Sequence, residues 1–304
     1  MPQSMTKAVW AFWSKPFQTH RQSTWLSPKD HLLSWILSFE RARRHYPETI
    51  LITDDDGIRL LVDGLGLEFH HVSNELNVLR SQDPDWWVSG KLYAYRSQTQ
   101  PFVHLDSDVF LWKALPEKMT TAPIFAQNPE YFTFGDPNSW YRPEICTARI
   151  NANQGWLPEE WQFYVANRGE RGISCGILGG NAVDFINYYA DKAIQLIESP
   201  ENQLALSFLD QRVDSVLVEQ YFLSACIMYH QNKTDSPYHN IEIQYLFNSP
   251  QDAFSTAKAT DAGYTHLIAG AKRNRDLMEK LERRVAMDYP DRYQQCLKYW
   301  SQIS

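Results

Sequence analysis

The sequence contains only four cysteines, and none of them has the spacing of a metal ribbon or a redox motif. Cys146, Cys175, Cys226 and Cys296 are scattered through 304 residues without a Cys-x-x-Cys pair. Zinc ribbons, thioredoxin-like motifs and disulfide-rich scaffolds need closer or denser cysteines, so these classes are excluded. We expect four reduced thiols, which is typical of a cytoplasmic protein.

Long apolar runs and surplus positive charge are missing as well. No segment approaches the roughly 20 apolar residues of a membrane-spanning helix, and the first residues lack the pattern of a signal peptide. With 29 basic and 36 acidic residues, the formal net charge is -7, which argues against a protein that binds nucleic acid through bulk charge. The sequence therefore predicts a cytoplasmic protein with no membrane span and no nucleic-acid partner.

The first 112 residues alternate between strand and helix patterns. Strands are predicted at residues 7–13, 49–53, 67–72 and 101–112, and helices at residues 29–46, 58–64 and 86–98. An aromatic region at 129–171 is predicted to form mainly long loops, and it is followed by a strand at 172–181, helices at 182–198 and 215–229, a short strand at 264–269 and a helix at 274–287. Alternating strands and helices predict βαβ units and a largely parallel sheet in an α/β fold.

Three Asp-x-Asp triplets, at 54–56, 83–85 and 106–108, differ in their surroundings. Residues 83–85 lie in a polar turn pattern, and residues 54–56 follow a strand, where they either cap the next helix or contact a nucleotide. Asp106 and Asp108 stand inside an apolar run, where two carboxylates are costly to bury unless a divalent cation compensates them. In a doubly wound sheet, the ends of the first and fourth strands flank the ligand-binding edge. Asp106 and Asp108 are therefore predicted to hold a metal beside a nucleotide.

Four segments of the chain occur in an order that matches a known group of enzymes. They are the helix at 90–100 with the acidic strand HLDSDVFLW after it, the strand SCGILGGN at 174–181, the pair Glu219-Gln220, and the segment from His266 to Lys272. Together they resemble GT-A glycosyltransferases, in particular the retaining type related to glycogenin and bacterial lipopolysaccharide galactosyltransferases. The sequence is also similar to an uncharacterised bacterial family with an HLDxDVFLW strand.

The resemblance implies a fold and a substrate class. The fold would be one GT-A (Rossmann-like) domain over residues 1–304, with a mixed sheet, helices on both faces and a loop-rich aromatic insertion. A nucleotide-binding half would cover about residues 1–112, and a donor-sugar and acceptor half about residues 113–304. The donor would be a nucleotide sugar, usually linked to UDP. The acceptor stays open between a glycan, a lipid-linked sugar, a peptide and a small molecule.

The resemblance also gives roles to individual residues. Asp106, Asp108 and His266 would be the metal ligands, since Mn²⁺ and Mg²⁺ take carboxylate oxygens and Mn²⁺ also accepts imidazole. Lysines would face the diphosphate, and glycines would let the backbone approach the sugar closely. Asn181 would either bind sugar hydroxyls or cap the following helix. The residues expected to contact the nucleotide sugar are Phe12, Asp54, Lys91, Gly179, Gly180, Asn181 and Lys272.

Glu219 and Gln220 are the catalytic candidates. By the resemblance, Gln220 would stabilise an oxocarbenium-like transition state in a retaining enzyme, and Glu219 would bind the donor sugar. In an inverting enzyme, Glu219 or Asp184 would instead act as general base on the acceptor hydroxyl. Aromatic side chains of the loop region either close over the donor, stack on the acceptor or pack in the core; they are Trp140, Tyr141, Trp156 and Trp161.

Two other functions stay open from the sequence. A metal-dependent nucleotidyltransferase or phosphohydrolase would use the same acidic strand and gather further carboxylates at the metal, with residues 54–56 among them. A non-catalytic module would bind a nucleotide or a carbohydrate without transferring a sugar. The acidic pair together with His266 and Lys272 speaks against the module, and only substrates can separate the two enzymes.

Overall fold

The computed structural model describes residues 7–303. The strands are β1 (Lys7–Phe12), β2 (Glu48–Thr53), β3 (His71–Ser73), β4 (Phe102–Leu105), β5 (Val109–Leu111), β6 (Ile124–Tyr131), β7 (Arg171–Gly180), β8 (Ile243–Tyr245) and β9 (Tyr264–His266). The α-helices are α1 (Ser14–Thr24), α2 (Pro28–Ala42), α3 (Asp55–Gly57), α4 (Ser89–Arg96), α5 (Glu117–Thr120), α6 (Pro143–Ala152), α7 (Glu159–Ala166), α8 (Val183–Glu198), α9 (Gln203–Leu206), α10 (Gln211–Val216), α11 (Phe222–Gln231), α12 (Pro250–Phe254), α13 (Thr256–Ala262), α14 (Arg275–Asp288) and α15 (Pro290–Ile303). Ile58–Gly64 and Leu217–Tyr221 are π-helical, and Glu75–Ser81, Pro200–Asn202 and Ala269–Arg273 form 3-10 turns. None of the helices in this part of the chain is long and apolar enough to cross a membrane.

The strands form a seven-stranded mixed sheet in the order β3-β2-β1-β4-β7-β6-β8, and β5 and β9 form a separate two-stranded ribbon. β1 runs parallel to β2 and β4, and β2 runs parallel to β3. β7 runs antiparallel to both β4 and β6. The predicted α/β fold with a mixed sheet and helices on both faces is confirmed. The carboxyl ends of β1 and β4 lie side by side, where a doubly wound sheet binds its ligands.

Helices cover both faces of the sheet. Successive side chains of a strand point to opposite sides, so one strand contributes to the core on each face. Ala8 and Trp10 of β1 pack into one core cluster with residues of α2 and α14, and Val9 packs into another with residues of α4 and α8. All three side chains are fully buried. Each face therefore has its own apolar core, and the edge of the sheet at which β1 and β4 end stays open between the two cores.

The segment at 101–112 is two strands, whereas the sequence predicted one strand that continues past the acidic pair. β4 ends at Leu105, and the amide of Val109 donates to the carbonyl of Asp106 (3.0 Å) to close a turn. β5 then leaves the main sheet and pairs antiparallel with β9. The turn places both aspartates outside the strands, with Asp108 buried and the Asp106 side chain 25% exposed.

Other elements also differ from the sequence prediction. Residues 129–171 contain the end of β6 and two helices, α6 and α7, instead of mainly loops. Pro143 lies in the first turn of α6, where its missing N–H costs nothing, so a residue that favours loops begins a helix here. α1 and α15 were not predicted at all. The third strand lies later than expected, at His71–Ser73.

Candidate functional site

Asp106, Asp108 and His266 come together beyond the carboxyl end of β4. One carboxylate oxygen of each aspartate and one ring nitrogen of the histidine all lie within 4.8 Å of one another. The antiparallel pairing of β5 with β9 achieves this, because Val109 lies opposite His266 in the register. The structure thus joins two segments that are more than 150 residues apart in the sequence into one cluster.

The donor atoms of this cluster fit a divalent cation. Nδ1 of His266 lies 2.7 Å from Oε1 of Gln127, a carbonyl oxygen that can only accept, so Nδ1 carries the proton. When the ring carries that proton alone, Nε2 presents a lone pair, and it lies 3.4 Å from Oδ1 of Asp108. Two acceptor atoms in this arrangement repel one another unless a cation lies between them. Two carboxylates with one imidazole suit Mn²⁺, and the carboxylates alone suit Mg²⁺.

Two lysines neutralise the aspartates. Nζ of Lys272 lies 2.6 Å from Oδ2 of Asp108, and Nζ of Lys91 lies 2.9 Å from Oδ1 of Asp106. Burial raises the pKa of Asp108, but the positive charge of Lys272 beside it outweighs burial and holds that pKa well below its usual range. Burial raises the pKa of Asp106 to about 6 in spite of the Lys91 charge. The two carboxylates thus differ in acidity, and Asp108 is the more strongly charged of the pair.

Glu219 joins the same charge cluster from the π-helical segment. Its side chain is 0% exposed, with Oε1 2.6 Å from Nζ of Lys91, and the hydroxyl of Tyr95 donates to the same oxygen (3.0 Å). Burial alone would lower the pKa of Lys91, but Asp106 and Glu219 raise it above its ordinary value. A π-helical turn is a frequent feature of functional sites, since it re-aims side chains that a regular helix would turn elsewhere.

Gln220 lies beside the aromatic region. The hydroxyl of Tyr141 contacts the side-chain oxygen of Gln220 and donates to Glu130 (2.6 Å). The chain therefore places Glu219 against Lys91, which also contacts Asp106, and places Gln220 against Tyr141. Neighbours in sequence thus have separate polar surroundings.

A cleft of about 690 Å³ opens over the cluster and contains Lys91, Lys272 and both aspartates in its lining. Its walls are mainly aromatic. Phe12 at the end of β1, Phe17 of α1 and Trp25 line it near the lysines, and Trp87 and Trp140 also line it. Trp140 is 64% exposed, whereas Trp25 is buried. The cleft thus combines a charged floor with flat apolar surfaces, which suits a ligand with a phosphate part and ring systems.

His31 is a member of this cleft that no sequence motif indicated. A capping box between Ser27 and Asp30 begins α2 and places His31 in its first turns. The imidazole stacks on Trp25 with ring centres 5.2 Å apart, and Nε2 lies 3.4 Å from the hydroxyl of Ser107. Burial, with the nearby Lys272 charge, lowers the pKa of His31 to about 3, so the ring is neutral at pH 7.

The structure does not bring Gly179, Gly180 and Asn181 to the cluster. Phe102, the first residue of β4, pairs with Gly180, so these residues lie at the edge of the sheet opposite the acidic turn. A Cβ on Gly179 would come within 2.0 Å of the Phe102 carbonyl, so close strand packing explains this glycine. The side-chain amide of Asn181 donates to the backbone carbonyls of Thr120 and Ala122. It does not cap the next helix.

Gly176, on the same strand as Gly179 and Gly180, is the glycine that packs beside the cluster. A Cβ on Gly176 would lie 2.5 Å from Oε1 of Gln127 and 2.5 Å from the ring of His266. Gln127 itself is 1% exposed on β6. The sequence signal for it was weak, because Gln127 ends the apolar run IFA and is followed directly by the polar Asn128, whereas the segment SCGILGGN already contained Gly176.

Asp54 serves the capping role that the sequence left open. Its carboxylate accepts from the amide and the hydroxyl of Ser14 (2.9 and 2.7 Å) and from the amide of Gly57 (2.8 Å). These bonds tie the start of α1 to the end of β2. The carboxylate lines a second, smaller cavity of about 280 Å³ beside Trp13 and Arg59, and the main cleft has other lining residues.

The remaining candidates divide between the core and the surface. Trp161 is fully buried, and its indole N–H donates to Thr147 (2.8 Å). The amide of Trp156 donates to Asn202, far along the chain from the cluster residues. Asp184 is exposed in the first turn of α8, directly after the strand end that carries Gly180. Of the four aromatic residues predicted from the loop region, Trp140 is the one that lines the main cleft.

The chain belongs to DUF6734, a family of unknown function, which it matches over residues 6–299. It is also similar to a solved structure of the galactosyltransferase LgtC in complex with donor and acceptor sugar analogues, with 13% sequence identity and a TM-score of 0.40. That similarity covers 90% of this chain and 95% of LgtC. No curated protein matches the chain. The family description names no activity, so the function has to follow from the site.

Proposed function

We propose that the protein is a metal-dependent glycosyltransferase that moves a sugar from a UDP-sugar to an acceptor with retention at the anomeric carbon. The observation that carries the proposal is the cluster of Asp106, Asp108 and His266, whose two aspartates pair with Lys91 and Lys272 and line an aromatic cleft. A nucleotide sugar needs these features together, namely a cation and fixed positive charge at the diphosphate and flat surfaces for its rings.

Asp106, Asp108 and His266 would hold Mn²⁺ or Mg²⁺. When bound, the ion supplies Lewis-acid neutralisation of the negative charge that grows on the departing diphosphate. Lys272 adds a fixed positive charge, because its Nζ lies 2.6 Å from Asp108 and within the same cleft. A diphosphate oxygen beside Asp108 would be within reach of that ammonium, and a charge-assisted hydrogen bond to it is stronger than a neutral one.

Glu219 and Gln220 act on the donor sugar in this proposal. Lys91 holds the Glu219 carboxylate beside Asp106, so the carboxylate would supply negative potential close to the anomeric carbon. The Gln220 carbonyl oxygen would stabilise positive charge there without being a strong nucleophile. Tyr141 contacts that oxygen and fixes its direction. Retention by front-face attack needs such a group below the sugar and does not need a covalent intermediate.

The cleft walls would bind the nucleoside and the acceptor. Phe12 and the Trp25–His31 stack lie near Lys272 and offer faces for a base, which stacks on aromatic rings. Trp140 is exposed and would cover the acceptor. In this arrangement residues of about 1–112 form the nucleotide-binding half and residues of about 113–304 the sugar and acceptor half of one domain.

A phosphohydrolase would require further carboxylates at the metal. Among the described residues, the one group of at least three metal-ligating side chains contains Asp106, Asp108 and His266. Asp54 would be a member of a larger set, but its carboxylate accepts hydrogen bonds from Ser14 and Gly57. These contacts favour sugar transfer over the hydrolytic alternative.

A thermal-shift panel of UDP-, GDP- and CDP-sugars with and without Mn²⁺ tests the proposal. A ligand that binds the native state alone raises the melting temperature by mass action, and we expect this for a UDP-sugar in the presence of Mn²⁺. Asp108→Asn should remove the effect, whereas the control Asp184→Asn should keep it, because Asp184 lies at the other edge of the sheet. A shift that Asp108→Asn leaves unchanged contradicts the metal assignment.

The stereochemical part has its own test. The anomeric coupling constant of the product, measured by NMR and compared with that of the donor, shows retention or inversion directly. We expect retention. An inverted product would move the catalytic role to a carboxylate acting as general base and would leave the metal site standing.

A further inference from the structure

Gln127 is a buried glutamine whose side chain touches two residues of β9. Its Oε1 accepts from Nδ1 of His266 (2.7 Å) and from the hydroxyl of Tyr264 (2.6 Å). A carbonyl oxygen has two lone pairs, and both are used here. The side chain is 1% exposed, so water does not compete for these bonds.

We infer that Gln127 is a positioning residue that makes His266 a metal ligand. Because Oε1 can only accept, it keeps the imidazole proton on Nδ1 and leaves the Nε2 lone pair pointing toward Asp108, 3.4 Å away. The opposite tautomer would place a proton on Nε2, which would then donate to Asp108 and could not bind a cation. The inference rests on the proposed metal site, and it adds the residue that decides which nitrogen faces the ion.

Tyr264 and Gly176 hold this arrangement in place. The Tyr264 hydroxyl fills the second lone pair of the Gln127 oxygen, so a rotation of the amide would break two hydrogen bonds at once. Gly176 packs against the other side, where a Cβ would stand 2.5 Å from both the Gln127 oxygen and the His266 ring. The imidazole is therefore fixed in tautomer by Gln127 and in position by the backbone of β7. Partners of this kind typically change metal affinity 10–100-fold when they are removed.

The test measures Mn²⁺ binding without any sugar substrate, by titration calorimetry and by the electron paramagnetic resonance signal of free Mn²⁺. Gln127→Met keeps the size of the side chain and removes the acceptor, and we expect affinity to fall about 10–100-fold. Gln127→Glu keeps an acceptor and should stay within about threefold of the unmodified protein. Tyr264→Phe is the matched control, because it removes the other hydrogen bond to the same oxygen and keeps the one to His266, so its loss of affinity should be clearly smaller than that of Gln127→Met.

A spectroscopic measurement separates positioning from a general loss of packing. Electron spin echo modulation of bound Mn²⁺ detects a directly coordinated imidazole nitrogen, and that signal should be present in the unmodified protein and in Tyr264→Phe but absent in Gln127→Met. Gly176→Ala should also weaken the signal by displacing the ring. Equal affinity in Gln127→Met, or an equal loss in Gln127→Met and Tyr264→Phe, would overturn the inference.

These readouts are independent of sugar transfer. A protein that binds Mn²⁺ through a histidine nitrogen but transfers no sugar would refute the glycosyltransferase proposal and still support the role of Gln127. A protein with sugar-transfer activity whose Mn²⁺ signal shows no imidazole nitrogen would overturn the role of Gln127 and leave the activity intact.

Discussion

Replacement of Lys91 by Met should destabilise the metal-free protein. Nζ of Lys91 lies 2.9 Å from Asp106 and 2.6 Å from Glu219, and its side chain is 11% exposed. Met matches the length of the stem but carries no charge. The substitution would leave the fully buried Glu219 carboxylate and the partly exposed Asp106 carboxylate without the ammonium group that now contacts both. Lys272 would stay engaged with Asp108.

The expected size follows from the burial of the group. Removal of one partner of a buried ion pair costs about 3–5 kcal/mol, because the other charge stays buried without compensation. Each 1 kcal/mol lowers the melting temperature by about 2 °C in a protein of this size. We therefore expect Lys91→Met to lower the melting temperature by about 6–10 °C, with no contribution from lost apolar packing.

The assay is thermal and urea unfolding in the presence of EDTA, for the two single variants and the double variant of Lys91→Met with Glu219→Gln. The double variant removes the uncompensated carboxylate together with the lysine, so it should be more stable than Lys91→Met alone by at least about 1 kcal/mol. A double variant that is no more stable than Lys91→Met would refute the reasoning, because the two residues would then not interact.

Three further predictions concern the cleft and the strand beside it. Lys272→Ala should weaken UDP binding by tenfold or more and leave uridine binding nearly unchanged, since the charge acts on the diphosphate; equal losses in calorimetry would contradict that contact. Mn²⁺ affinity should be constant above about pH 7 and fall up to tenfold per pH unit below pH 6. The reason is that a proton on Asp106, whose pKa is about 6, competes with the ion. Titrations of Mn²⁺ at pH 5, 6, 7 and 8 check this. Gly179→Ala should cost about 1–3 kcal/mol of stability, because its Cβ would meet the Phe102 carbonyl at 2.0 Å. It should leave the UDP affinity of the folded protein unchanged. A specific loss of UDP affinity would place Gly179 at the donor after all.

The acidic pair could be located from sequence because it breaks a strong local pattern. Two carboxylates inside HLDSDVFLW contradict a buried strand, and the position of that strand as the fourth in the chain placed it beside β1. Strand order in a βαβ arrangement is largely fixed by short, right-handed connections. The prediction that Asp106 and Asp108 lie at the ligand-binding edge needed no long-range information for this reason.

The register of β7 against β4, which decides where the glycines of β7 lie, could not be predicted from the sequence. β7 is antiparallel to β4, with Leu105 opposite Ile177 and Phe102 opposite Gly180. A shift of three residues along a strand moves a side chain by about 10 Å, which is the difference between Gly176 beside His266 and Gly179 beside Phe102. Nothing within SCGILGGN states its register against β4, so the choice between Gly176 and the later glycines depends on a pairing of distant segments.

Gln127 escaped sequence analysis for a related reason. Its partners on β9 are 137 and 139 residues away in sequence, and β6 and β9 belong to different sheets. A buried amide needs hydrogen-bond partners, because an unpaired amide is costly to bury. The sequence does not show which distant residues supply them, and the fold identifies Tyr264 and His266.

The charges of the site couple the binding of its two proposed ligands, the divalent ion and the nucleotide diphosphate. In the protein as described, Lys272 is the partner of Asp108 and Lys91 is the partner of Asp106, so each carboxylate already has a cation. A divalent ion bound by both aspartates would release Lys272 from Asp108, and the released ammonium would then favour an anion beside it. A diphosphate supplies that anion and also ligates the ion. Metal and nucleotide would therefore bind with positive coupling, and by linkage each would raise the affinity of the other by the same factor.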